Sequence, residues 1–258
     1  MPVNADISTI DVPGDANETQ LPINELFYSL QGEGRLVGMP SVFVRTSGCN
    51  LRCWFCDSYH TSWEPTHAWM DLDSIVEDVL QYEQAEHVVL TGGEPLIHDE
   101  SVDLLESLAD HGYHTTVETN GTIHRDAPID LASISPKLAS STPTSERDPT
   151  GEGEWADRHE ERRIDLDALS TLVDDYDTQL KFVVTGPDDL PEIESLVDRI
   201  RDESSASLRA SDVLLMPEGV TRVELDEKRE MVAELAMKWG YRYTPRIHVD
   251  LWNDAPGR

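Results

Sequence analysis

A chain of 258 residues with 51 acidic and 20 basic side chains has a formal net charge of −31, and 38% of its residues are hydrophobic. A field of that sign repels phosphates and anionic lipid surfaces, so direct binding to nucleic acid or to a membrane surface is not expected. No run of about 18 apolar residues is present, so no membrane span is expected.

The length fits one large domain. We predict a polar leader over residues 1–22 and a single domain over 23–258. The N-terminus lacks the basic head and apolar stretch of a signal peptide, so we expect the chain in the cytoplasm, where thiols stay reduced. Four lysines stand beside sixteen arginines. An acidic, lysine-poor surface of this kind indicates adaptation to high salt.

Short β-rich runs alternate along the chain with helical patterns, which is typical of βαβ units around a parallel sheet. The predicted strands are Ser41–Arg45, His87–Thr91, Tyr113–Glu118, Leu131–Ser135, Gln179–Val184 and Asp212–Met216. Six such strands fit an open doubly wound sheet or a partial (β/α) barrel. We expect the partial barrel, an α/β fold of about six parallel strands, with the chemistry at the C-terminal strand ends.

The spacing of apolar and capping residues predicts two helices. Apolar residues at 193, 196, 197 and 200 form one helical face. Thr221 and Glu224 are spaced as in a capping box, and the apolar stripe of the helix that follows is predicted to include Val232, Leu235 and Trp239. Between residues 139 and 163 the periodicity disappears and polar residues dominate, so this segment is predicted to be a polar surface insertion or flexible loop.

All three cysteines of the chain lie within eight residues, at Cys49, Cys53 and Cys56, directly after an apolar strand. Three buried small side chains would explain them, as would a zinc site completed by His60 or His67. Three thiolates can instead hold three irons of a 4Fe–4S cluster and leave the fourth iron open to a small ligand.

The C-x3-C-x2-C spacing, followed about forty residues later by Gly-Gly-Glu-Pro, resembles the radical S-adenosylmethionine (SAM) superfamily. That resemblance implies a 4Fe–4S cluster and S-adenosylmethionine as cofactors, with the three cysteines as the catalytic cluster ligands. It also implies that Gly92, Gly93 and Glu94 bind the cofactor. Glycines allow close approach of a ligand to the backbone, and a carboxylate can accept hydrogen bonds from an ammonium group.

Further motifs resemble those of the 7-carboxy-7-deazaguanine synthases. They are Gln-Gly-Glu at 31–33, the arginine that ends Val-Phe-Val-Arg at 42–45, Cys-Asp-Ser at 56–58 and Ser-Pro-Lys at 135–137. The resemblance implies a lyase that converts 6-carboxy-5,6,7,8-tetrahydropterin to 7-carboxy-7-deazaguanine plus ammonia, on the route to queuosine and archaeosine. The adenosyl radical takes a hydrogen from C6 of the pterin in that family, and S-adenosylmethionine is regenerated.

The same resemblance assigns individual residues. Ser58 would bind Mg²⁺ through its hydroxyl, a hard oxygen ligand, where the family commonly has threonine. Arg45 would pair with the substrate carboxylate. The full substrate set is Leu30, Gln31, Gly32, Glu33, Arg45, Thr91 and His248. The remaining cofactor residues are Glu118, Asn120, Ser135, Pro136, Lys137, Lys181, Phe182, Val183 and Val184.

By analogy with the family, we expect a flavodoxin- or ferredoxin-type electron donor and a homodimer. Two alternatives are weighed against this assignment. A glycyl-radical activase has the same cysteine spacing and similar length but lacks the Gln-Gly-Glu and Ser-Pro-Lys features. A zinc-stabilised binding module without catalysis would take up zinc rather than iron.

Overall fold

One nine-stranded sheet forms the centre of the computed structural model, which describes residues 19–151 and 153–253. The strands are β1 (Gln20–Leu30), β2 (Pro40–Thr46), β3 (Ala68–Asp71), β4 (His87–Gly92), β5 (His114–Thr119), β6 (Leu131–Ile134), β7 (Thr178–Val184), β8 (Val213–Pro217) and β9 (Arg242–Tyr243). Their order is β3-β1-β2-β4-β5-β6-β7-β8-β9. Strands β2 and β4 to β9 are parallel, whereas β1 pairs antiparallel with β2 and β3.

Helices connect the strands and flank the sheet. They are α1 (Tyr59–Ser62), α2 (Leu72–Leu80), α3 (Glu100–Asp110), α4 (Ala156–Arg162), α5 (Leu166–Asp175), α6 (Leu190–Glu203), α7 (Arg222–Trp239) and α8 (Ile247–Trp252). The apolar face predicted for α6 is buried, as expected. Among the described residues, no helix is long and apolar enough to cross a membrane.

All six predicted strands are present, with ends that differ by at most one residue. Three strands were not predicted, because β3 and β9 have only four and two residues and β1 lacks a sustained apolar alternation. Strand β1 begins at Gln20, three residues inside the predicted leader. Residues 1–18 lie outside the described part of the chain.

The start of α7 confirms its capping box. The backbone N–H of Glu224 donates to the Thr221 hydroxyl oxygen at 3.3 Å, and the Glu224 carboxylate accepts from the N–H of Thr221 at 2.9 Å. Val232 is buried and Leu235 is half-buried, but Trp239 is 38% exposed. The predicted stripe is therefore wrong at Trp239, where the helix ends before Gly240 in the left-handed conformation.

The loop between β1 and β2 crosses to the far end of the sheet. There the N–H of Gly34 donates to the Thr244 hydroxyl oxygen at 2.7 Å, and the N–H of Ile247 donates to the Gly32 carbonyl oxygen at 3.0 Å. Because β1 and β9 stand near opposite edges of the sheet, these contacts require the sheet to curve. The fold is the expected α/β partial barrel, and the C-terminal ends of its parallel strands face one cavity.

Candidate active site

A cavity of about 640 Å³ lies at the C-terminal ends of the strands. Side chains from β1, β2 and β4 to β8 line it, together with the loop after β2 and the final helix α8. This is the position at which parallel α/β sheets carry their chemistry.

The three cysteines lie on the loop between β2 and α1, and all three line the cavity. Cys49 and Cys53 are each 8% exposed. Burial raises the pKa of the Cys49 and Cys56 thiols and raises that of Cys53 to about 12. Thiolates at these positions therefore need a bound cation to offset their desolvation.

The arrangement of these thiols fits a cluster. Within residues 19–151 and 153–253, no three His, Cys, Asp or Glu side chains converge closely enough to share one metal ion. The three cysteines line one cavity, and thiolate is the usual ligand of iron–sulfur clusters.

Gly92 and Gly93 pack against the start of the cysteine loop. A Cβ on Gly93 would overlap the carbonyl oxygen of Gly48 and would lie 2.8 Å from the Cβ of Cys49. Gly92 has φ +147°, a conformation that L side chains rarely adopt. Both positions therefore require glycine for the loop to reach its observed place.

Replacing Gly93 with alanine is expected to displace the cysteine loop and to lower the iron bound per chain after anaerobic reconstitution, roughly by half or more, because backbone atoms block the new methyl group. The control is Gly186→Ala, since a Cβ on Gly186 meets nothing within 4 Å. Iron and sulfide analysis checks the result. Equal iron content in the two variants would contradict it.

Glu94 does not lie where a cofactor-binding residue was predicted. It is fully buried and does not line the cavity. Its carboxylate accepts hydrogen bonds from the N–H of Asn120 at 2.6 Å, the hydroxyl of Thr119 at 2.8 Å and the N–H of Leu96 at 3.1 Å. Burial raises the pKa of Glu94 to about 7 despite these donors. In this structure Glu94 joins the ends of β4 and β5.

The alternation of β7 separates the four residues predicted there. Lys181 and Val183 line the cavity, whereas Phe182 and Val184 are fully buried in the core, because successive side chains of a strand point to opposite faces. Pro136 is also buried and does not line the cavity, although its neighbours do. Phe182, Val184 and Pro136 therefore offer no side chain to a ligand in the cavity.

The other predicted site residues all line the cavity. They are Leu30, Gln31, Gly32, Glu33, Arg45, Ser58, Thr91, Gly92, Gly93, Glu118, Asn120, Ser135, Lys137, Lys181, Val183 and His248, beside the three cysteines.

A buried group of charges forms one wall. The Lys181 ammonium donates to Glu33 at 2.5 Å and lies 3.5 Å from Glu118. The Arg246 guanidinium donates to the other Glu33 oxygen at 2.8 Å and also pairs with Asp57. Burial alone would raise the pKa of Glu33, but Lys181 and Arg246 hold it well below its ordinary value, so this carboxylate is ionised.

A second polar group lies beside this wall. The Glu118 carboxylate accepts from the Gln31 amide at 3.3 Å and from the Thr91 hydroxyl at 3.0 Å. Nε2 of His248 lies 3.9 Å from the Glu33 carboxylate. Burial lowers the pKa of His248, with Glu33 acting in the opposite direction. These side chains offer both donors and acceptors to a flat heterocycle.

Arg45 and Ser58 meet in the same cavity, beside Asp57. The Arg45 guanidinium donates to the Ser58 hydroxyl oxygen at 2.8 Å, and its Nε lies 3.2 Å from Glu25. The sequence motifs thus place a cation and a hydroxyl together next to the cysteine loop.

Sequence reasoning missed several charged residues of the site, Arg246 and Asp57 among them. Arg246, which is 6% exposed, and Asp57 were not assigned roles, although Asp57 directly follows a cluster cysteine. Arg246 precedes His248 by two residues, so its position near the predicted substrate group was the available signal. Ser62 also went unnoticed, and its hydroxyl donates to the Cys56 sulfur at 3.1 Å.

Comparison with known proteins identifies the family. Residues 43–232 match the radical SAM superfamily. A 7-carboxy-7-deazaguanine synthase from Halobacterium salinarum is 72% identical over 236 residues, which cover 92% of each chain. A protein of the same name from Rhodopirellula baltica is 41% identical over 250 residues, covering 96% of this chain and 93% of the relative. The chain belongs to the 7-carboxy-7-deazaguanine synthase family of radical SAM enzymes.

A solved structure agrees at the level of the fold. The crystal structure of QueE from Escherichia coli aligns with a TM-score of 0.64 at 24% identity, covering 88% of this chain and 93% of that one. Membership of the radical SAM superfamily implies a 4Fe–4S cluster and S-adenosylmethionine. The family assignment replaces both alternatives, the glycyl-radical activase and the zinc module.

Proposed function

We propose that this chain converts 6-carboxy-5,6,7,8-tetrahydropterin to 7-carboxy-7-deazaguanine and ammonia. The observation that carries the proposal is a single cavity with the cluster cysteines on one side and, facing the same space, Arg45 and the Glu33 group. The names of the relatives at 72% and 41% identity support the same reaction.

The pterin is recognised by its charge and by its polar edge. Arg45 pairs with the 6-carboxylate, since a guanidinium matches a carboxylate with two parallel hydrogen bonds. Glu33 stays ionised between Lys181 and Arg246 and accepts from the donor edge of the ring. Gln31 and Thr91 are already oriented by Glu118, so little side-chain freedom is lost on binding.

The cofactor side of the cavity is lined by Gly92, Gly93, Asn120, Ser135 and Lys137. When bound and reduced, the cluster and S-adenosylmethionine supply the radical that starts the reaction. The glycines allow close approach to the backbone. Lys137 donates to the Ser135 hydroxyl oxygen at 2.8 Å, which holds its ammonium at the cavity, where it can pair with a carboxylate.

Ser58 supplies the hydroxyl oxygen for Mg²⁺ in this proposal. Replacing Ser58 with alanine is expected to raise the Mg²⁺ concentration for half-maximal activity about tenfold, which corresponds to about 1.4 kcal/mol of lost binding energy. Ser58→Thr keeps the oxygen and is expected to behave like the wild type. Steady-state rates over a Mg²⁺ titration decide the matter, and identical curves for all three proteins would count against a metal role.

The product is proposed to feed queuosine or archaeosine synthesis, and the acidic, lysine-poor surface favours archaeosine. A flavodoxin- or ferredoxin-type donor, a homodimer and a cytoplasmic location complete the proposal, by analogy with the family.

The experiment is turnover by anaerobically reconstituted protein with reductant, S-adenosylmethionine, Mg²⁺ and the carboxy-tetrahydropterin. Mass spectrometry is expected to detect 7-carboxy-7-deazaguanine only in the complete mixture. A fully loaded protein that makes none would contradict the proposed substrate.

A further inference from the structure

The short helix α1, which follows the cysteine loop, places a hydroxyl donor at one of the three sulfurs. Ser62 is the last residue of α1 and is 2% exposed. Its hydroxyl donates to the sulfur of Cys56 at 3.1 Å. Within residues 19–151 and 153–253, this hydroxyl has no competing acceptor, so its hydrogen points at the sulfur.

The backbone on either side of Ser62 is tied to the same loop. The N–H of Gly48 donates to the Thr61 carbonyl oxygen at 2.8 Å, and the indole N–H of Trp63 donates to the Cys53 carbonyl oxygen at 2.9 Å. Neither contact uses the Ser62 side chain. The position of the hydroxyl is therefore set by contacts that a substitution of Ser62 leaves in place.

The cysteine loop is also held by contacts that do not involve α1. The backbone N–H of Trp54 donates to the Ser141 carbonyl oxygen at 3.2 Å, and its indole N–H donates to the Ser140 carbonyl oxygen at 2.7 Å. Both carbonyls belong to the 139–163 segment that was predicted to be a polar insertion. We therefore expect the loop to keep its shape when the Ser62 hydroxyl is removed.

Cluster binding strengthens the acceptor of this hydrogen bond. Cysteine binds iron as a thiolate, and a thiolate is a stronger acceptor than a thiol because charge strengthens hydrogen bonds. One-electron reduction adds further negative charge to the cluster and its sulfurs. A donor at a cluster sulfur therefore stabilises the reduced state more than the oxidised state, and such hydrogen bonds help to set the reduction potential.

We propose that Ser62 is a positioning residue that donates to the Cys56 thiolate in the assembled cluster, holds that ligand in place and raises the reduction potential. The Cys49 sulfur accepts instead from the backbone N–H of Leu51 at 3.4 Å, a donor that no side-chain substitution removes. The proposal concerns the cluster that superfamily membership implies, and it holds whatever substrate occupies the cavity.

The test is potentiometric titration of the reconstituted cluster with no pterin present. Ser62→Ala is expected to lower the equilibrium constant for one-electron reduction roughly three- to tenfold, where tenfold corresponds to about 59 mV. Ser62→Thr keeps the hydroxyl and should restore a potential close to that of the wild type. Ser47→Ala is the matched control, because the buried Ser47 hydroxyl stands before the same loop and has no hydrogen-bond partner among the described residues.

Iron retention gives a second measurement. The Ser62→Ala cluster is expected to lose iron to a chelator roughly fivefold faster than the Ser47→Ala cluster, the effect of about one hydrogen bond. Failure of Ser62→Ala to assemble a cluster, with Ser47→Ala assembling normally, would also support the proposal. A wild-type potential in Ser62→Ala, or an equal shift in Ser47→Ala, would overturn it and would leave the assignment of the pterin unaffected.

Discussion

Replacing Arg246 with alanine is expected to lower the free energy of unfolding by about 3–5 kcal/mol, the usual cost of removing one partner from a buried ion pair. Arg246 is 6% exposed and holds the Glu33 carboxylate, whose own side chain is 11% exposed. Without the guanidinium, Lys181 alone must offset the buried charge of Glu33. Denaturant unfolding of the protein without its cluster, followed by circular dichroism, measures the change.

The loss of unfolding free energy in Arg246→Ala should depend on pH and become smaller as the pH falls. The ordinary pKa of Glu33 is 4.5, and in the fold it is held well below that value. A carboxylate with a lowered pKa contributes stability above its ordinary pKa and loses that contribution as pH falls through its folded value. The difference between wild type and Arg246→Ala is therefore full at pH 7 and shrinks in acid.

Arg201→Ala is the control for this experiment. Arg201 pairs with Asp198 on the surface of α6, where the two side chains are 35% and 71% exposed. Exposed pairs contribute about 0–1 kcal/mol. If Arg246→Ala were no less stable than Arg201→Ala, Arg246 would not be the anchor of the Glu33 group.

Replacing Cys53 with alanine is expected to abolish turnover, because it removes one of the three thiolates that can hold the cluster among the residues of this chain. Iron per chain after reconstitution should fall well below the wild-type value. The variant is compared with wild-type protein that has been stripped of iron. The two should give the same circular dichroism spectrum, since replacing the CH2SH side chain with a methyl group disturbs the loop little.

A Cys53→Ala variant that kept its iron and its activity would contradict this expectation. Wild-type iron content and wild-type rates in Cys53→Ala would mean that the cysteine triplet does not hold the cluster, and the proposed site would then be wrong.

Predicted site residues that lie near one another in sequence come together in one cavity. The cysteine triplet and the Gly92–Gly93 pair each occupy the end of a predicted strand, and parallel strands bring those ends together. Arg45 and Ser58 are only thirteen residues apart, and both belong to motifs that flank the triplet. Motifs that are local in sequence therefore identify most of the residues that line the candidate site.

Long-range partners were not predictable in the same way. Arg246 and Asp57 pair across 189 residues, and no local pattern links them. The direction of a side chain was also missed at Glu94, whose carboxylate turns into the protein because backbone N–H groups at the ends of two strands need an acceptor. At Phe182 and Val184, by contrast, the period of two in a strand was available and would have placed both in the core.

The buried face of the 139–163 segment escaped prediction for a different reason. Its fully buried residues include Ser141 and His159, which are polar and follow no helical or strand period. Hydrophobic periodicity finds elements that pack through apolar faces. A segment attached by hydrogen bonds gives no such signal.

The most direct test of the central claim is the ratio of ammonia released to 7-carboxy-7-deazaguanine formed by the reconstituted protein. Loss of one ring nitrogen per pterin converted predicts a ratio of about one, with both products absent when Cys53→Ala is used. Formation of 5′-deoxyadenosine without either product would contradict the account, because the radical chemistry would then be present and the proposed substrate would be wrong.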